Sequence, residues 1–202
     1  MNPDHTLPTD EAHKERMAAL QAEMAAKLAA AKEKRGLIMV HTGDGKGKST
    51  AAFGMLARMV AHKKQCAVIQ FVKSSPDAIS KALGAPLAKW HAVGDGFTWN
   101  TQDRAADIKR CREGWELACG YMQDPNLSFL MLDELNIALD YKYLPVSEVL
   151  AALAEKRPDL HVVITGRGAP AELVAAADLV TEMKMIKHPF NDGVRAQLGI
   201  EF

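Results

Sequence analysis

Residues 42–50 read Thr42-Gly43-Asp44-Gly45-Lys46-Gly47-Lys48-Ser49-Thr50. An apolar run, Leu37–His41, precedes this stretch, and a segment with helical spacing, Ala51–Val60, follows it. A glycine-rich turn between a strand and a helix is the context that a phosphate-binding loop requires. Glycines let several backbone N–H groups point at one anion, and the N-terminus of the following helix adds partial positive charge. The stretch therefore predicts a nucleotide-binding α/β fold.

The charged and hydroxyl residues of this loop are suited to a nucleotide. Lys48 can neutralise phosphate oxygens, and the Ser49 hydroxyl can ligate a magnesium ion. The loop departs from the usual G-x-x-x-x-G-K-[ST] pattern only at its first position, Thr42. A glycine turn that is merely flexible would not explain two lysines followed by Ser-Thr. The residues predicted to contact the nucleotide are Gly43, Asp44, Gly45, Lys46, Gly47, Lys48, Ser49 and Thr50.

A second acidic element closes another apolar run, Phe129–Leu132, which is followed by Asp133 and Glu134. An apolar strand that delivers acidic residues at its carboxyl end is the usual second metal-binding element of P-loop proteins. Adjacent residues of an extended strand point to opposite sides, so we expect one of the two carboxylates to serve the Mg²⁺ site and the other to orient the loop. An exposed acidic pair at a strand end is the structural alternative.

From Leu37 onward, apolar runs alternate with segments of helical spacing. The expected strands are Leu37–His41, Cys66–Val72, Leu127–Leu132, Leu160–Thr165 and one around Leu179–Met185, with helices at about 49–62, 101–122 and 146–156. Nearly continuous apolar strands are covered on both faces of their sheet. The pattern predicts an α/β fold of the P-loop NTPase (RecA-like) kind, a mostly parallel sheet with helices on both faces.

Residues 9–35 predict a further helix outside this sheet, ended by Gly36. Apolar residues recur there at spacings of three and four, at Met17, Leu20, Met24 and Leu28. Two interpretations of this stripe stay open. The helix either rests on its own domain or forms an arm that packs on a second subunit. The expected organisation is an N-terminal helical arm, 1–35, followed by a P-loop domain, 36–202.

The composition excludes several classes of protein. The chain has 202 residues, of which 48% are hydrophobic and 25% charged, as in ordinary globular proteins. Its 25 basic and 25 acidic residues give a formal net charge of +0, without the surplus of Lys and Arg typical of nucleic-acid binders. No apolar run approaches the ~18 residues of a membrane span, and the cysteines form no metal-ligand pattern. We expect a cytoplasmic protein with neither nucleic acid nor membrane as partner.

Together with several downstream segments, the loop resembles the P-loop ATP:corrinoid adenosyltransferase family. The segments are Gln70-Phe71-Val72-Lys73, Gly96-Phe97-Thr98-Trp99, Leu132-Asp133-Glu134-Leu135, Asp140-Tyr141-Lys142-Tyr143-Leu144-Pro145, Thr165-Gly166-Arg167-Gly168 and the tail Lys187–Glu201. The resemblance covers about residues 36–202, in order. One difference lies at residues 73–79, where the family usually has a longer K-G-x-W-x-x-G-E stretch.

The resemblance implies transfer of the 5′-deoxyadenosyl group of ATP to Co(I) of a corrinoid, with release of triphosphate. Because reduced cobalt is the nucleophile, the protein needs no Ser, Cys or His nucleophile. The resemblance also implies that ATP lies in the loop in the reverse of the usual direction. It further implies that Phe97 and Trp99 close one face of the corrin and displace its lower axial ligand, which eases reduction of Co(II).

The remaining expected roles follow from position and from the resemblance. Arg167 follows a strand at the same sheet edge as the loop, so we expect it to contact phosphate or nucleotide, with a structural ion pair as the alternative. The predicted catalytic residues are Lys48, Phe97 and Trp99. The predicted metal ligands, for Mg²⁺ or alternatively Mn²⁺, are Ser49, Asp133 and Glu134. The resemblance also implies a homodimer and an electron donor such as a reduced flavodoxin or flavin.

Two other functions stay open from the residues alone. A general P-loop ATPase or phosphotransferase would release ADP and phosphate instead of triphosphate. A non-catalytic corrinoid or nucleotide-binding module would bind its ligand without forming a cobalt–carbon bond. The sequence disfavours GTPases and protein kinases, because it has no [NT]-K-x-D segment to read guanine and no kinase-type catalytic loop.

Overall fold

The computed structural model describes residues 9–94 and 103–200, and the chain divides into two compact units, Met1–Lys34 and Arg35–Phe202. The described part of the first unit contains one helix, α1 (Asp10–Ala30). Its N-cap is Thr9, whose hydroxyl accepts a hydrogen bond from the Ala12 N–H at 3.3 Å. All residues of α1 are exposed, including its apolar stripe.

The second unit is built on a six-stranded, wholly parallel sheet with the strand order β3-β2-β4-β5-β1-β6. The strands are β1 (Ile38–Thr42), β2 (Gln65–Gln70), β3 (Ala88–Ala92), β4 (Leu127–Asp133), β5 (His161–Thr165) and β6 (Leu179–Glu182). The helices are α2 (Lys48–Ala61), α3 (Ser80–Leu83), α4 (Arg104–Gln123), α5 (Leu135–Asp140), α6 (Val146–Ala154) and α7 (Ala171–Ala176), followed by a 3₁₀ turn at Pro189–Asp192. None of the helices in the described ranges is long and apolar enough to cross a membrane.

The sheet separates two apolar cores, because successive strand residues face opposite sides. On one face, Leu130 of β4 packs in a cluster with Trp115 of α4. On the other face, Met131 packs in a cluster with Phe53 and Leu56 of α2. Both faces are therefore covered by helices, which confirms the predicted α/β class.

Strand β3 and the short helices α3, α5 and α7 have no counterpart among the expected elements. The β3 sequence, Ala88-Lys89-Trp90-His91-Ala92, contains no apolar run. It lies at the edge of the sheet, where it pairs only with β2, and four of its five residues are at least partly exposed. An edge strand that is covered less completely does not need the continuous apolar sequence of the central strands.

The expected helix over residues 9–35 was too long, since α1 ends at Ala30. From Arg35 onward the chain forms hydrogen bonds within the second unit. The Arg35 guanidinium donates to Asp178 at 2.5 Å, and the Gly36 N–H donates to the Pro158 carbonyl at 2.6 Å. A β carbon at position 36 would come within 2.1 Å of the Leu160 carbonyl oxygen. Gly36 thus permits a close crossing of two backbones and does not end the helix.

Two expected strand ends were also too late. β2 ends at Gln70 rather than Val72, because its partner β4 ends at Asp133, whose carbonyl accepts the last hydrogen bond between the strands from the Phe71 N–H. β6 ends at Glu182, because its partner β1 ends at Thr42, whose carbonyl accepts the last hydrogen bond between the strands from the Met183 N–H.

Candidate active site

Three loops meet at the carboxyl edge of the sheet, where parallel α/β proteins bind their ligands. They follow β1, β4 and β5, which lie side by side with β5 in the middle. The loops carry Lys48, Glu134 and Arg167, and the three charges act on one another. The structure therefore brings together one basic residue from the glycine-rich loop, one acidic residue and one further basic residue that the sequence predicted at this edge.

Lys48 is the first residue of α2, and its side chain folds back over the glycine-rich loop. Its ammonium group donates to the Gly45 carbonyl at 2.6 Å. From beneath, the buried His41 ring donates from Nδ1 to the Lys48 carbonyl at 3.1 Å. The loop begins with a further contact, in which the Ala169 N–H donates to the Thr42 hydroxyl at 3.2 Å. The lysine is thus held at the N-terminus of α2 on a loop whose base is fixed by hydrogen bonds.

The backbone beyond β6 packs against the loop and explains two of its glycines. The Gly45 N–H donates to the Met183 carbonyl at 2.7 Å, and the Met183 N–H donates to the Thr42 carbonyl at 2.8 Å. A β carbon on Gly43 would lie 2.4 Å from the Met183 oxygen, and one on Gly45 would lie 2.7 Å from the Lys184 oxygen. Gly45 is therefore required by a close backbone approach, and its N–H is already bonded within the protein.

The neighbouring acidic residues Asp133 and Glu134 lie in different environments. Asp133 is almost fully buried, and its two oxygens accept hydrogen bonds from the Gln70 amide and the Thr165 hydroxyl, both at 2.8 Å. Glu134 adopts a left-handed conformation with φ 62°. The two consecutive carboxylates are thus directed to different surroundings, as expected from the end of a strand.

Electrostatic interactions at Glu134 define the character of the site. Burial and, next, the charge of Asp133 raise the pKa of Glu134 to about 7, although the cations Lys73, Lys48 and Arg167 act in the opposite direction. A carboxyl group with such a pKa changes charge near neutral pH. A cation bound beside Glu134 would therefore stabilise its ionised form.

The surroundings of Lys48 disfavour its positive charge. Burial and then the charge of Arg167 lower the pKa of Lys48, while Asp44 and Glu134 raise it and Lys46 lowers it. An anion bound beside Lys48 would favour its charged form. The geometry and the charges both point to an anionic ligand at this loop.

The other predicted site residues are distributed as follows. Asp44, Lys46 and Thr50 are exposed on the loop or on the first turn of α2, and Arg167 is exposed on the loop after β5. Phe97 and Trp99 lie outside the described residues, and their role stays a prediction. The described chain resumes at Asp103, whose carboxylate caps α4 by accepting from the Ala105 and Ala106 N–H groups.

The sequence predicted no individual role for four residues that lie at or near this edge of the sheet, Gln70, Lys73, Thr165 and Met183. Gln70 and Thr165 are polar residues that close the apolar runs of β2 and β5. A polar residue at the end of a buried strand is the signal that could have identified these two. Nothing in the local sequence marks Met183, because its contact with the loop is made by the backbone.

Residues 34–202 match the family described as ATP:corrinoid adenosyltransferase BtuR/CobO/CobP. The chain belongs to this family. A corrinoid adenosyltransferase from Sinorhizobium sp is 46% identical over 98% of this chain and 99% of that protein. A corrinoid adenosyltransferase from Pseudomonas aeruginosa is 43% identical over 96% of this chain and 97% of its own length. The family match confirms the predicted enzyme class, an ATP:corrinoid adenosyltransferase.

Among solved structures, the RadB recombinase has a TM-score of 0.47 and 10% identity to this adenosyltransferase, and the match covers 81% of each chain. At that distance the likeness says nothing about activity. The family match spans residues 34–202, a range that includes the glycine-rich loop, Asp133–Glu134 and Arg167.

Proposed function

We propose that the carboxyl edge of the sheet is the site at which this enzyme transfers the 5′-deoxyadenosyl group of ATP to the Co(I) ion of a corrinoid. Cobalt attacks C5′, the cobalt–carbon bond forms, and the bond from C5′ to the phosphate oxygen breaks. The electron pair of that bond leaves with triphosphate, and cobalt is oxidised from Co(I) to Co(III). The observation that supports this proposal is the convergence of Lys48, Arg167 and Glu134 on the glycine-rich loop.

The main task of the protein in this reaction is to stabilise the departing triphosphate. Fixed positive groups aimed at developing charge give the largest electrostatic contribution in most enzymes. Lys48 and Arg167 supply two such charges, and the N-terminus of α2 adds its partial positive charge. In the protein alone, the Lys48 ammonium donates to the Gly45 carbonyl. We propose that triphosphate oxygens accept from it in the complex.

A magnesium ion fits the donors at this edge. Magnesium binds through one or two protein oxygens and completes its shell with water and phosphate oxygens. The Ser49 hydroxyl and the Glu134 carboxylate would hold the ion, and Mn²⁺ would use the same oxygens. When bound, the ion neutralises part of the triphosphate charge.

Asp133 has a different place in this proposal from the one given to Ser49 and Glu134. Both of its oxygens accept hydrogen bonds from buried side chains of neighbouring strands. We therefore propose that Asp133 orients the residues around the ion and does not ligate it through a free oxygen.

The corrinoid side of the site rests on the family resemblance. We propose that Phe97 and Trp99 close one face of the corrin and displace the lower axial ligand. Losing that ligand makes Co(II) easier to reduce, because the ligand no longer donates electron density to the metal. The one electron needed to form Co(I) is not supplied by ATP, so we propose a reduced flavodoxin or flavin as its donor, with the cytoplasm as the location of the enzyme.

We further propose a homodimer in which residues 9–35, within the N-terminal arm 1–35, help to cover the corrinoid site of the other subunit's catalytic domain, residues 36–202. Exposed apolar stripes of this size commonly mark interaction surfaces. The support is the α1 stripe Met17, Leu20, Met24 and Leu28, whose side chains are 40–71% exposed. Replacing Leu20 and Leu28 together by Asp should therefore weaken the dimer, as measured by sedimentation. An unchanged dimer would contradict the proposed role of the arm.

The test of the reaction is incubation with Mg²⁺-ATP, cob(II)alamin and a strong reductant. We expect the light-sensitive spectrum of an adenosylated corrinoid and one triphosphate per corrinoid, quantified by ion chromatography. Release of ADP and phosphate without a cobalt–carbon bond would instead identify a general P-loop ATPase. Binding of ATP and corrinoid without either product would identify a non-catalytic module.

A further inference from the structure

A continuous chain of buried hydrogen bonds crosses the carboxyl ends of β2, β4 and β5. The Gln70 Nε2 group donates to Asp133 Oδ2, and the Thr165 hydroxyl donates to Asp133 Oδ1, both at 2.8 Å. Gln70 and Thr165 are 0% exposed, and Asp133 is 1% exposed. We call these three residues the edge bridge. It lies directly beneath the loops of the proposed active site.

At one end, the edge bridge holds the backbone of Glu134. The oxygen of the Thr165 hydroxyl accepts a hydrogen bond from the Glu134 N–H at 3.0 Å. Glu134 has a φ of 62°, which few residues other than glycine adopt without support from their surroundings. The hydroxyl therefore supports an unfavourable backbone conformation at the residue proposed to hold the metal.

At the other end, the edge bridge is joined to the segment 73–79 and to β3. The Gln70 Oε1 atom accepts hydrogen bonds from the Asp77 N–H at 2.9 Å and from the Trp90 indole N–H at 2.8 Å. Lys73 forms an ion pair with Asp77 in the same segment. The segment 73–79 is thus connected, through Gln70, to the acidic end of β4.

The direction of every bond in the edge bridge is fixed by chemistry. A hydroxyl has a single proton, and Thr165 directs it to Asp133, so toward Glu134 its oxygen can only accept. The Gln70 amide can donate only through its nitrogen, while its oxygen accepts from two N–H groups. In the described part of the chain, the only buried side-chain nitrogen or oxygen atom without a partner is Oδ1 of Asn136. The edge bridge itself is therefore satisfied throughout, which favours one rigid arrangement.

We propose that Gln70 and Thr165 are positioning residues, which hold Asp133 between them and thereby set where Glu134 stands beside the glycine-rich loop. Neither residue touches ATP or the corrinoid in this proposal. They act through the Glu134 backbone, as the outer partners of metal ligands act in other enzymes. The inference rests on the proposed function, because it assigns Glu134 to the Mg²⁺-ATP site.

The decisive comparison is Thr165→Val against Thr165→Ser. Valine nearly matches threonine in shape but lacks the hydroxyl, whereas serine keeps the hydroxyl and loses only a methyl group. Losing a partner of this kind typically costs about 10–100-fold in activity or metal affinity. We expect Thr165→Val to lower kcat by about that factor and to raise the Mg²⁺ concentration needed for half-maximal activity, while its KM for the corrinoid stays unchanged. Thr165→Ser should stay within about threefold of the wild type.

A binding measurement separates this inference from the proposed function. Calorimetric titration of ATP with and without Mg²⁺ gives the gain in affinity that the ion provides, and it requires no chemistry. We expect Thr165→Val to lose most of this gain and Thr165→Ser to keep it. If the wild type made no adenosylated corrinoid, the proposed function would fail. If the two folded variants showed the same gain from Mg²⁺, only the positioning role would be overturned.

Thr165→Val leaves buried polar groups without partners and could prevent folding. Trp90→Phe is the milder variant, because it removes one N–H donor to Gln70 at the partly exposed end of the chain of bonds and keeps an aromatic ring beside Phe53. Circular dichroism and the melting temperature establish that each variant is folded. Should the valine variant not fold, Trp90→Phe decides, and we expect a measurable loss of the Mg²⁺ gain in ATP affinity. An unchanged gain in folded Trp90→Phe would then overturn the proposal.

Discussion

The polar residues of the carboxyl edge fall into two groups that differ in how far their charges are satisfied within the protein. In the edge bridge, Gln70, Asp133 and Thr165 are buried and saturated with hydrogen bonds. At the glycine-rich loop, the pKa of Lys48 is lowered and that of Glu134 is raised, because burial disfavours their charges. The hydrogen bonds of the first group are made without a ligand. The charges of the second group are disfavoured in the protein alone, and a bound ion of opposite charge would stabilise them. The residues that hold the site in shape are thus different from the residues proposed to bind the ligand.

The largest effect is expected at the loop. Lys48→Ala removes a cation from the proposed leaving-group site, and such losses typically lower kcat by about 10²–10³-fold. Its melting temperature should change little, because the lysine donates to a single loop carbonyl. Rates of adenosylated corrinoid formation and thermal melts measure the two quantities. Lys109→Ala, an exposed lysine of α4 paired with Glu113, is the matched control and should retain wild-type activity.

A smaller effect on activity, joined by a loss of stability, is expected where the loop meets the backbone beyond β6. Gly45→Ala would place a β carbon 2.7 Å from the Met183 and Lys184 backbone oxygens, so the loop must shift. We expect about tenfold weaker ATP binding by calorimetry and destabilisation by roughly 1–3 kcal/mol, as for overpacking elsewhere. An unaltered ATP affinity in Gly45→Ala would show that the contact with Met183 does not shape the loop.

Glu134→Gln should separate stability from function through its dependence on pH. The folded protein holds a proton on Glu134 up to a pKa of about 7, above the value of about 4.3 for an unfolded chain. Between these values the folded state binds more protons, so this group makes stability fall as pH rises through the window. The Gln variant should therefore be more stable than the wild type by about 1–3 kcal/mol at pH 8, and nearly equal to it at pH 4.

Urea unfolding at the two pH values measures this difference. The same variant should lose adenosylation activity, because the amide is a poor substitute for a carboxylate beside Mg²⁺. Equal stabilities of the variant and the wild type at pH 8 would mean that Glu134 carries no penalty for its charge in the folded protein.

The smallest effect is expected at a glycine that serves neither group. A β carbon on Gly54, in the middle of α2, would meet nothing within 4 Å. Gly54→Ala should raise the stability by about 0.5–1 kcal/mol, because alanine loses less backbone entropy in a helix. Its activity should equal that of the wild type. A decrease in stability would show that Gly54 has a packing role that the structure does not reveal.

The sequence predicted the parts of the fold that depend on residues close together along the chain. The central strands β1, β2, β4 and β5 are apolar because both of their faces are covered, and the glycine-rich loop lies between a strand and a helix. Edge strand β3 was not predicted, because it pairs only with β2 and is partly exposed, so its sequence mixes polar and apolar residues. Local pattern therefore identifies buried elements better than peripheral ones.

The contacts of the edge bridge could not be derived from the sequence, although each of its residues is a polar residue at the end of an apolar run. Gln70 and Asp133 are 63 positions apart, and Asp133 and Thr165 are 32 apart. Their contacts exist because β4 lies between β2 and β5, and only the order of strands in the sheet determines that. The same holds for the Gly45–Met183 bond, which requires β6 to lie beside β1.

The bond between Gly45 and Met183 also has a consequence for biosynthesis. The glycine-rich loop is translated well before the backbone around Met183 against which it packs. A nascent chain that stops short of Met183 therefore contains the whole nucleotide motif without the surface that shapes it. We therefore expect such a chain to bind ATP more weakly than a chain that includes Met183.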